Sequence, residues 1–410
     1  MSKSEPFMVP LYEDDRLVHT DLQPLYFEEW SAADADSPMD PEWATLVQRS
    51  CALVGSEARP VQIKMRKPFD PESLVMEMHL ADGKSVFVRI IPPAVNDTLL
   101  HSWTVGRFAA ESAVLRWFER IAPKLPVPRV LATVAEDGIA VTTLMPGIDA
   151  MHVYPLLSTE AREHSLVAWA QLSTQIFRLQ APQRFGSPFS FDASKLKPGM
   201  HVGVLPDACI TVDDSTDLYT FFKRLADVRR GRLPTPSDQK TQDALSKRVD
   251  KLLKAIRPMI ENLTREPWMR RFVLTHCDLR PDNVLLAPTS GEPVGIVDWE
   301  FCACLPSILA AKYPEWICPT ILVDPRYRNP RDVFLTYEFD SWSEQKRLRG
   351  IYEDAVRRLD EEYWKCLIQG AKLREAYAWL ETARRDLDGV GMERWVEDVF
   401  GDATQEDVRT

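Results

Sequence analysis

The chain has 410 residues, 45% of them hydrophobic, which is the composition of an ordinary globular protein and enough to fill a core divided over two or three domains or lobes. Asp and Glu outnumber Lys and Arg by 61 to 50, a net charge of −11, which excludes nonspecific nucleic-acid binding and attraction to anionic membranes. No stretch is long and apolar enough to span a bilayer, no apolar signal segment follows Met1, and the seven cysteines are scattered, so reduced thiols and a cytoplasmic location are expected.

Residues 1 to 39 are acidic, aromatic-dotted and rich in proline, and read as an irregular N-terminal arm. Asp40-Pro41-Glu42 is a helix start, with a capping carboxylate and Pro in the first turn, and Gly55 ends that helix. Val61 to Met65, Leu74 to Leu80 and Ser85 to Ile91 read as strands, the last two joined by an Asp82-Gly83 turn. Alternation puts Val86, Val88 and Ile90 on one face and Phe87, Arg89 and Ile91 on the other, and a cation among apolar neighbours needs an anion. The next helix, Phe108 to Ile121, carries Glu111 on the stripe of Val114, Leu115, Phe118 and Ile121, so Glu111 is the expected partner of Arg89. Strands follow near Val130 to Thr133 and from Ile139 to Met145, ending at Pro146-Gly147. The chain then turns helical, with an apolar stripe through Leu166, Trp169, Leu172, Ile176 and Leu179. Asp213-Asp214-Ser215 reads as the cap of a helix bearing Leu218, Phe221, Phe222 and Leu225, and Lys240 to Asn262 as an amphipathic helix. Residues 325 to 340 resemble a lid or loop, 341 to 388 two helices, and Trp395, Val396 and Phe400 one short helix in an acidic tail.

The stretch from Phe272 to Glu300 organises the rest. Val284 to Ala287 and Val294 to Val297 are β-branched-rich runs flanking a Pro288-Thr-Ser-Gly-Glu-Pro293 turn, an antiparallel hairpin. Asn283 precedes its first strand and Asp298 follows its second, so both fall at the open end, where an amide oxygen and a carboxylate can share a hard cation such as Mg²⁺. Asp278 lies on the loop entering that end, and a carboxylate there can take a proton from an attacking hydroxyl.

The order His276-x-Asp278-x-x-x-x-Asn283, then strand, turn, strand and Asp298, resembles the catalytic and metal-binding segments of the protein-kinase-like superfamily, and the wording HCDLRPDNVLL…GIVDWE resembles its aminoglycoside phosphotransferase and choline kinase branch. The resemblance implies an α+β fold with two lobes: a small N-lobe of antiparallel sheet plus one helix, and a larger, mainly helical C-lobe. It implies ATP and Mg²⁺ as cofactors, Asp278 as base, Arg280 reaching the γ-phosphate, and Asn283 and Asp298 as metal ligands. His276 is expected to brace the loop. The resemblance places Arg89 at the position of the strand-three lysine of kinases, paired with Glu111, and makes Thr143, Leu144 and Met145 the adenine side of the hinge. It also implies substrate-specific segments within 188–240, where His201, Asp213, Asp214 and Tyr219 are candidates for the acceptor, and after residue 305. In kinases a glycine-rich loop covers the phosphates, whereas Arg66 to Ser73 contains no glycine.

Boundaries are expected at 1–55 for the arm and first helix, 56–147 for the N-lobe, 148–390 for the C-lobe and 391–410 for the tail. The expected function is ATP-dependent transfer of the γ-phosphate to a hydroxyl of a small molecule. The alternative is a catalytically weak pseudokinase with a binding or regulatory role. The acceptor and the oligomeric state stay open, and neither nucleic acid nor membrane is an expected partner.

Overall fold

The computed structural model describes residues 12–13, 16–17, 26–32, 39, 41–55, 59–66, 74–91, 98–134, 138–187, 200–202, 210–212, 216–231, 239–327, 339–381, 386 and 388–401. The chain divides into two interleaved units. The first comprises Met1–Leu157, Phe189–Pro198 and Asp282–Glu300, and the second Ser158–Pro188, Gly199–Pro281 and Phe301–Thr410. The glycine-free segment 67–73, Asp213 and Asp214, residues 328–338 and the tail from 402 lie outside the described residues, as does the side chain of His201.

In the first unit, β1 (Tyr12–Glu13) and β2 (Arg16–Leu17) form a minimal hairpin, and β3 (Tyr26–Ser31) runs antiparallel to β4 (Pro60–Arg66). The expectation of a wholly irregular arm is therefore corrected. Tyr-Phe-Glu-Glu-Trp-Ser has the aromatic content of a strand, but the prolines and acids around it hide the signal, and only pairing along the edge of β4 makes it one. Between them, α1 (Pro41–Val54) buries Val47 and Cys51 against the sheet. β5 (Leu74–Leu80), β6 (Ser85–Ile90), β7 (Val130–Val134) and β8 (Ile139–Thr143) complete a six-stranded antiparallel sheet in the order β3-β4-β5-β6-β8-β7. Alternation decides its faces: Val86, Val88 and Ile90 of β6 join Ile63, Met76, Met78 and Val141 in the core.

The helix α2 spans Thr98–Ile121, ten residues longer than its apolar stripe indicates. Thr104, Val105 and Gly106 are weak helix formers, which conceals its first turns in the sequence. Phe108, Val114, Leu115 and Phe118 are buried as expected, but Ile121 at the C-terminal end faces solvent. β9 (Ile148–Asp149) and α3 (Ala150–Val153) follow, with Asp149 accepting a hydrogen bond from the His152 backbone N–H (3.1 Å) as its cap.

The second unit opens with α4 (Thr159–Phe177), capped by Ser158 and burying Leu166, Trp169, Leu172 and Phe177. After the short hairpin β10 (Met200–Val202) and β11 (Ile210–Val212) comes α5 (Leu218–Gly231), whose first turn is capped by Asp217, with its Oδ1 accepting from the Thr220 N–H (2.6 Å). α6 (Gln239–Leu263) buries Leu245, Val249, Leu252, Ile256 and Ile260 on one stripe. α7 (Pro267–Arg270) leads into β12 (Phe272–Thr275). The chain then supplies β13 (Val284–Leu286) and β14 (Pro293–Ile296) to the first unit, in a three-stranded sheet ordered β14-β13-β9. β15 (Ala303–Pro306) returns to pair antiparallel with β12, Thr275 opposite Ala303.

The rest is helical: α8 (Ser307–Ala310), α9 (Trp342–Leu359), α10 (Glu361–Gln369), α11 (Ala371–Glu381) and α12 (Val390–Phe400). Where two helices were expected over 341–388, the described residues form three, α9, α10 and α11. Asp360 breaks the run because its carboxylate is drawn two ways, accepting the Tyr363 N–H (2.9 Å) as a cap and the Arg178 guanidinium (2.7 Å) as an ion partner. No described helix is long and apolar enough to cross a membrane.

Gly147, at φ +99°, enters β9 with room for no side chain: a Cβ would fall 2.6 Å from Val294 Cγ2 and 2.9 Å from Leu286 O. Gly147→Ala is expected to destabilise the protein by roughly 1–3 kcal/mol through strain and overlap. Gly231→Ala, at a helix end with open space, should leave the urea unfolding curve in place.

Candidate active site

Arg89 stands on β6, a central strand, opposite Val75 of β5 and Ala140 of β8, so its side chain leaves a continuous sheet rather than an edge. Its guanidinium lies 4.6 Å from the centre of the Phe108 ring on α2. Nη1 is 2.9 Å from Glu300 Oε2, 3.3 Å from Asp298 Oδ1 and 3.6 Å from Glu111 Oε2. Residues more than two hundred positions apart thus meet on one cation. Burial works against the charge on Arg89, but the three carboxylates override it and raise its pKa above the ordinary arginine value. Burial also pushes Glu111 up to about 8, helped by Asp298 and Glu300 and opposed by Arg89. Glu300 is raised as well, by burial first, against the pull of Arg89 and Arg107.

The hairpin fixes how Asp298 arrives. Val284 pairs with Ile296, and the Val297 N–H donates to Asn283 O (3.0 Å), so Asn283 and Asp298 stand at the same end of the β13–β14 pair. Asn283 closes a 3₁₀ turn, Pro281–Asn283, and is buried. Asp298 has φ +65°, a left-handed conformation that Asp tolerates better than most residues and that turns the chain into a second 3₁₀ segment, Trp299–Phe301. Trp299 locks that turn. Its backbone N–H donates to Glu111 Oε1 (3.0 Å), its indole N–H to Ile296 O (3.1 Å), and its ring sits edge-on to Phe118 at 4.7 Å.

The remaining candidates lie in the second unit, on the loop after β12. His276 is buried, and its Nδ1 accepts the Asp278 backbone N–H (3.3 Å). Cys277 has φ +65°, and burial pushes its thiol up to about 12. Cys277 and Asp298 are the two non-glycine residues with positive φ among the described residues, a conformation that costs on the order of 1–3 kcal/mol each and clusters at functional sites. Arg280 turns back on Asp278, its Nε 3.4 Å from Oδ1 and its N–H donating to Asp278 O (3.0 Å).

At the expected hinge the Thr143 N–H donates to Arg129 O (2.9 Å), its hydroxyl accepts from the Arg129 N–H (2.9 Å), and the Leu144 N–H donates to Ser85 O (3.1 Å). Met145 follows them, just before Pro146-Gly147. Sequence reasoning did not single out Arg107. It lies one helical turn before Glu111 on α2, buried, with Nη1 3.3 Å from Glu300 Oε1. A charge four residues from a flagged carboxylate on a core-facing stripe was its available signal.

Residues 75–306 match the model of the APH family, described as the phosphotransferase enzyme family, more than half of the chain. The chain belongs to that family. This places it in the protein-kinase-like superfamily and makes small-molecule phosphotransfer its general chemistry. The chain is 26% identical over 417 residues to the clavilactone A biosynthesis cluster protein Y of Ampulloclitocybe clavipes, covering 98% of each. Among solved structures it resembles a macrolide 2'-phosphotransferase type I (12% identity, TM-score 0.46, 89% of this chain and 98% of that one). It also resembles the GDP complex of an aminoglycoside 2'-phosphotransferase-IIIa (13%, 0.46, 88% and 98%).

Removing the guanidinium of Arg89 leaves three clustered carboxylates without their shared cation. Arg89→Met is therefore expected to cost roughly 3–5 kcal/mol, and Arg89→Lys clearly less. Denaturant unfolding of the three proteins side by side checks the order.

Proposed function

We propose that the protein transfers the γ-phosphate of ATP to a hydroxyl group of a small molecule. The observation that carries this reading is the meeting of Arg89, Glu111 and Asp298 at the open end of the β13–β14 hairpin. The spacing of Asp278 and Asn283 before that hairpin supplies the rest of the parts.

Asp278 takes the proton of the acceptor hydroxyl as its oxygen bonds to phosphorus and the bond from phosphorus to ADP breaks, and the proton ends on the carboxylate. His276 holds the Asp278 backbone through Nδ1 and so keeps the loop in register. Arg280, side by side with Asp278, offers a cation to the phosphoryl group. Arg89, braced by Glu111 and stacked on Phe108, presents charge toward the α- and β-phosphates. With the Thr143 and Leu144 N–H groups engaged in the sheet, Met145 is the hinge residue assigned to the adenine edge.

The donor set fits Mg²⁺: an amide oxygen and a carboxylate at one hairpin end are hard oxygen ligands, and that ion takes one or two protein groups and fills its octahedron with water and phosphate. Asn283 and Asp298 would hold it. When bound, Mg²⁺ supplies charge neutralisation on the phosphates. The relative named for a clavilactone A biosynthesis cluster favours a secondary-metabolite hydroxyl as acceptor.

Asp278→Asn is expected to lower turnover by about two to four orders of magnitude while ADP affinity stays near that of the wild type. Asp298→Asn is expected to abolish Mg²⁺-dependent nucleotide binding. Incubation with ATP, Mg²⁺ and a metabolite extract, read by mass spectrometry for a new phosphate ester, supplies the turnover assay, and calorimetry supplies the binding. Nucleotide binding by the wild type with no ester from any extract would favour the pseudokinase alternative.

A further inference from the structure

Arg107 and Glu300 have no part in the roles assigned above, yet they are the most deeply buried charged side chains of the cluster, 5% and 3% exposed. Each oxygen of Glu300 has its own cation: Oε1 lies 3.3 Å from Arg107 Nη1, and Oε2 lies 2.9 Å from Arg89 Nη1. On α2, Arg107 and Glu111 stand one turn apart with the cation first, the weaker orientation for a helical pair, so local helix electrostatics does not account for Arg107. Across from them, Asp298 and Glu300 are separated by Trp299, whose N–H is itself held by Glu111. The two pairs interlock, and Arg89 is the point they share.

We propose that Arg107 is a positioning residue for nucleotide and metal binding, acting through Glu300 on Arg89. By pairing with Oε1 it leaves Oε2 facing Arg89 Nη1, the same guanidinium nitrogen that lies within reach of Asp298 and Glu111. Without Arg107, both oxygens of a buried carboxylate turn to the one cation left, and Arg89 is drawn off Asp298. The proposal rests on the phosphotransferase reading. It extends that reading to a side chain whose role runs through Glu300 rather than through the nucleotide or the acceptor.

The test compares wild type, Arg107→Met and Arg107→Lys by calorimetric titration with ADP, once with Mg²⁺ and once with EDTA, and by melting of the nucleotide-free proteins. Arg107→Met is expected to weaken the Mg²⁺-dependent component of ADP binding by about 10- to 100-fold, the range seen when residues behind a metal ligand are removed. Arg107→Lys, which keeps the charge but not the fork, should recover part of that loss, and the KM for acceptor should not move. Equal Mg²⁺ dependence in Arg107→Met and wild type overturns the proposal and leaves the phosphotransferase reading standing. So does an equal loss with and without Mg²⁺, which marks general loosening. Should Arg107→Met fail to fold, wild-type binding by Arg107→Lys likewise overturns it. No Mg²⁺-dependent ADP binding by the wild type overturns both readings at once.

Discussion

A single buried cation sets the terms for the first unit. Arg89 leaves a central strand, and its guanidinium is largely buried over the Phe108 ring. A charge kept inside must be met by opposite charge. α2 brings Glu111, and the end of the β13–β14 hairpin brings Asp298 and Glu300. The requirement of one arginine thus ties together three segments that are remote in sequence. Burial, with the neighbouring negative charges adding to it, makes Glu111 and Glu300 bind protons more tightly than usual even beside their guanidinium partners.

The backbone bears a matching cost. Cys277 and Asp298 both hold a left-handed conformation although neither is glycine. Each stands where the chain leaves a strand and must aim a side chain at once: Cys277 just before Asp278, and Asp298 itself just before Trp299. A relaxed extended residue at either position would continue the strand and direct the next side chain along the wrong face. Bonds around each residue hold the strained conformation in place. The Asp278 N–H is fixed by the His276 ring on one side, and the Trp299 N–H by Glu111 on the other.

Much of this was legible in the sequence because it rests on short-range regularities. The period of two in Val-Phe-Val-Arg-Ile placed Arg89 on the face opposite Val86, Val88 and Ile90, and the hairpin from Val284 to Val297 followed from its turn residues. What was not legible rests on partners elsewhere in the chain. Tyr26–Ser31 becomes a strand only because β4 offers an edge. Asp360 ends a helix because Arg178, far upstream, competes for its carboxylate. The early turns of α2 contain Thr, Val and Gly, which local propensity counts against a helix, yet they carry Arg107 to Glu300. Arg107 itself gave no motif, since its meaning comes from Glu300, and the meaning of Glu300 comes from Arg89.

The site segment is also the place where the chain changes units, at Pro281–Asp282 and again at Glu300–Phe301. In the second unit, β12 and β15 close the base of this excursion with a four-residue antiparallel ladder from Phe272–Pro306 to Thr275–Ala303. In the first unit its tip is built into the β14-β13-β9 sheet. The stretches between the ladders hold the candidate residues of each unit: His276, Asp278 and Arg280 in the second, Asn283, Asp298 and Glu300 in the first. Polar groups buried among apolar strands would normally be selected against. His276 in the second unit and Asn283 and Glu300 in the first are buried beside strand pairs that fix the backbone locally, so part of the ordering cost is met by the ladders before a side chain finds its partner.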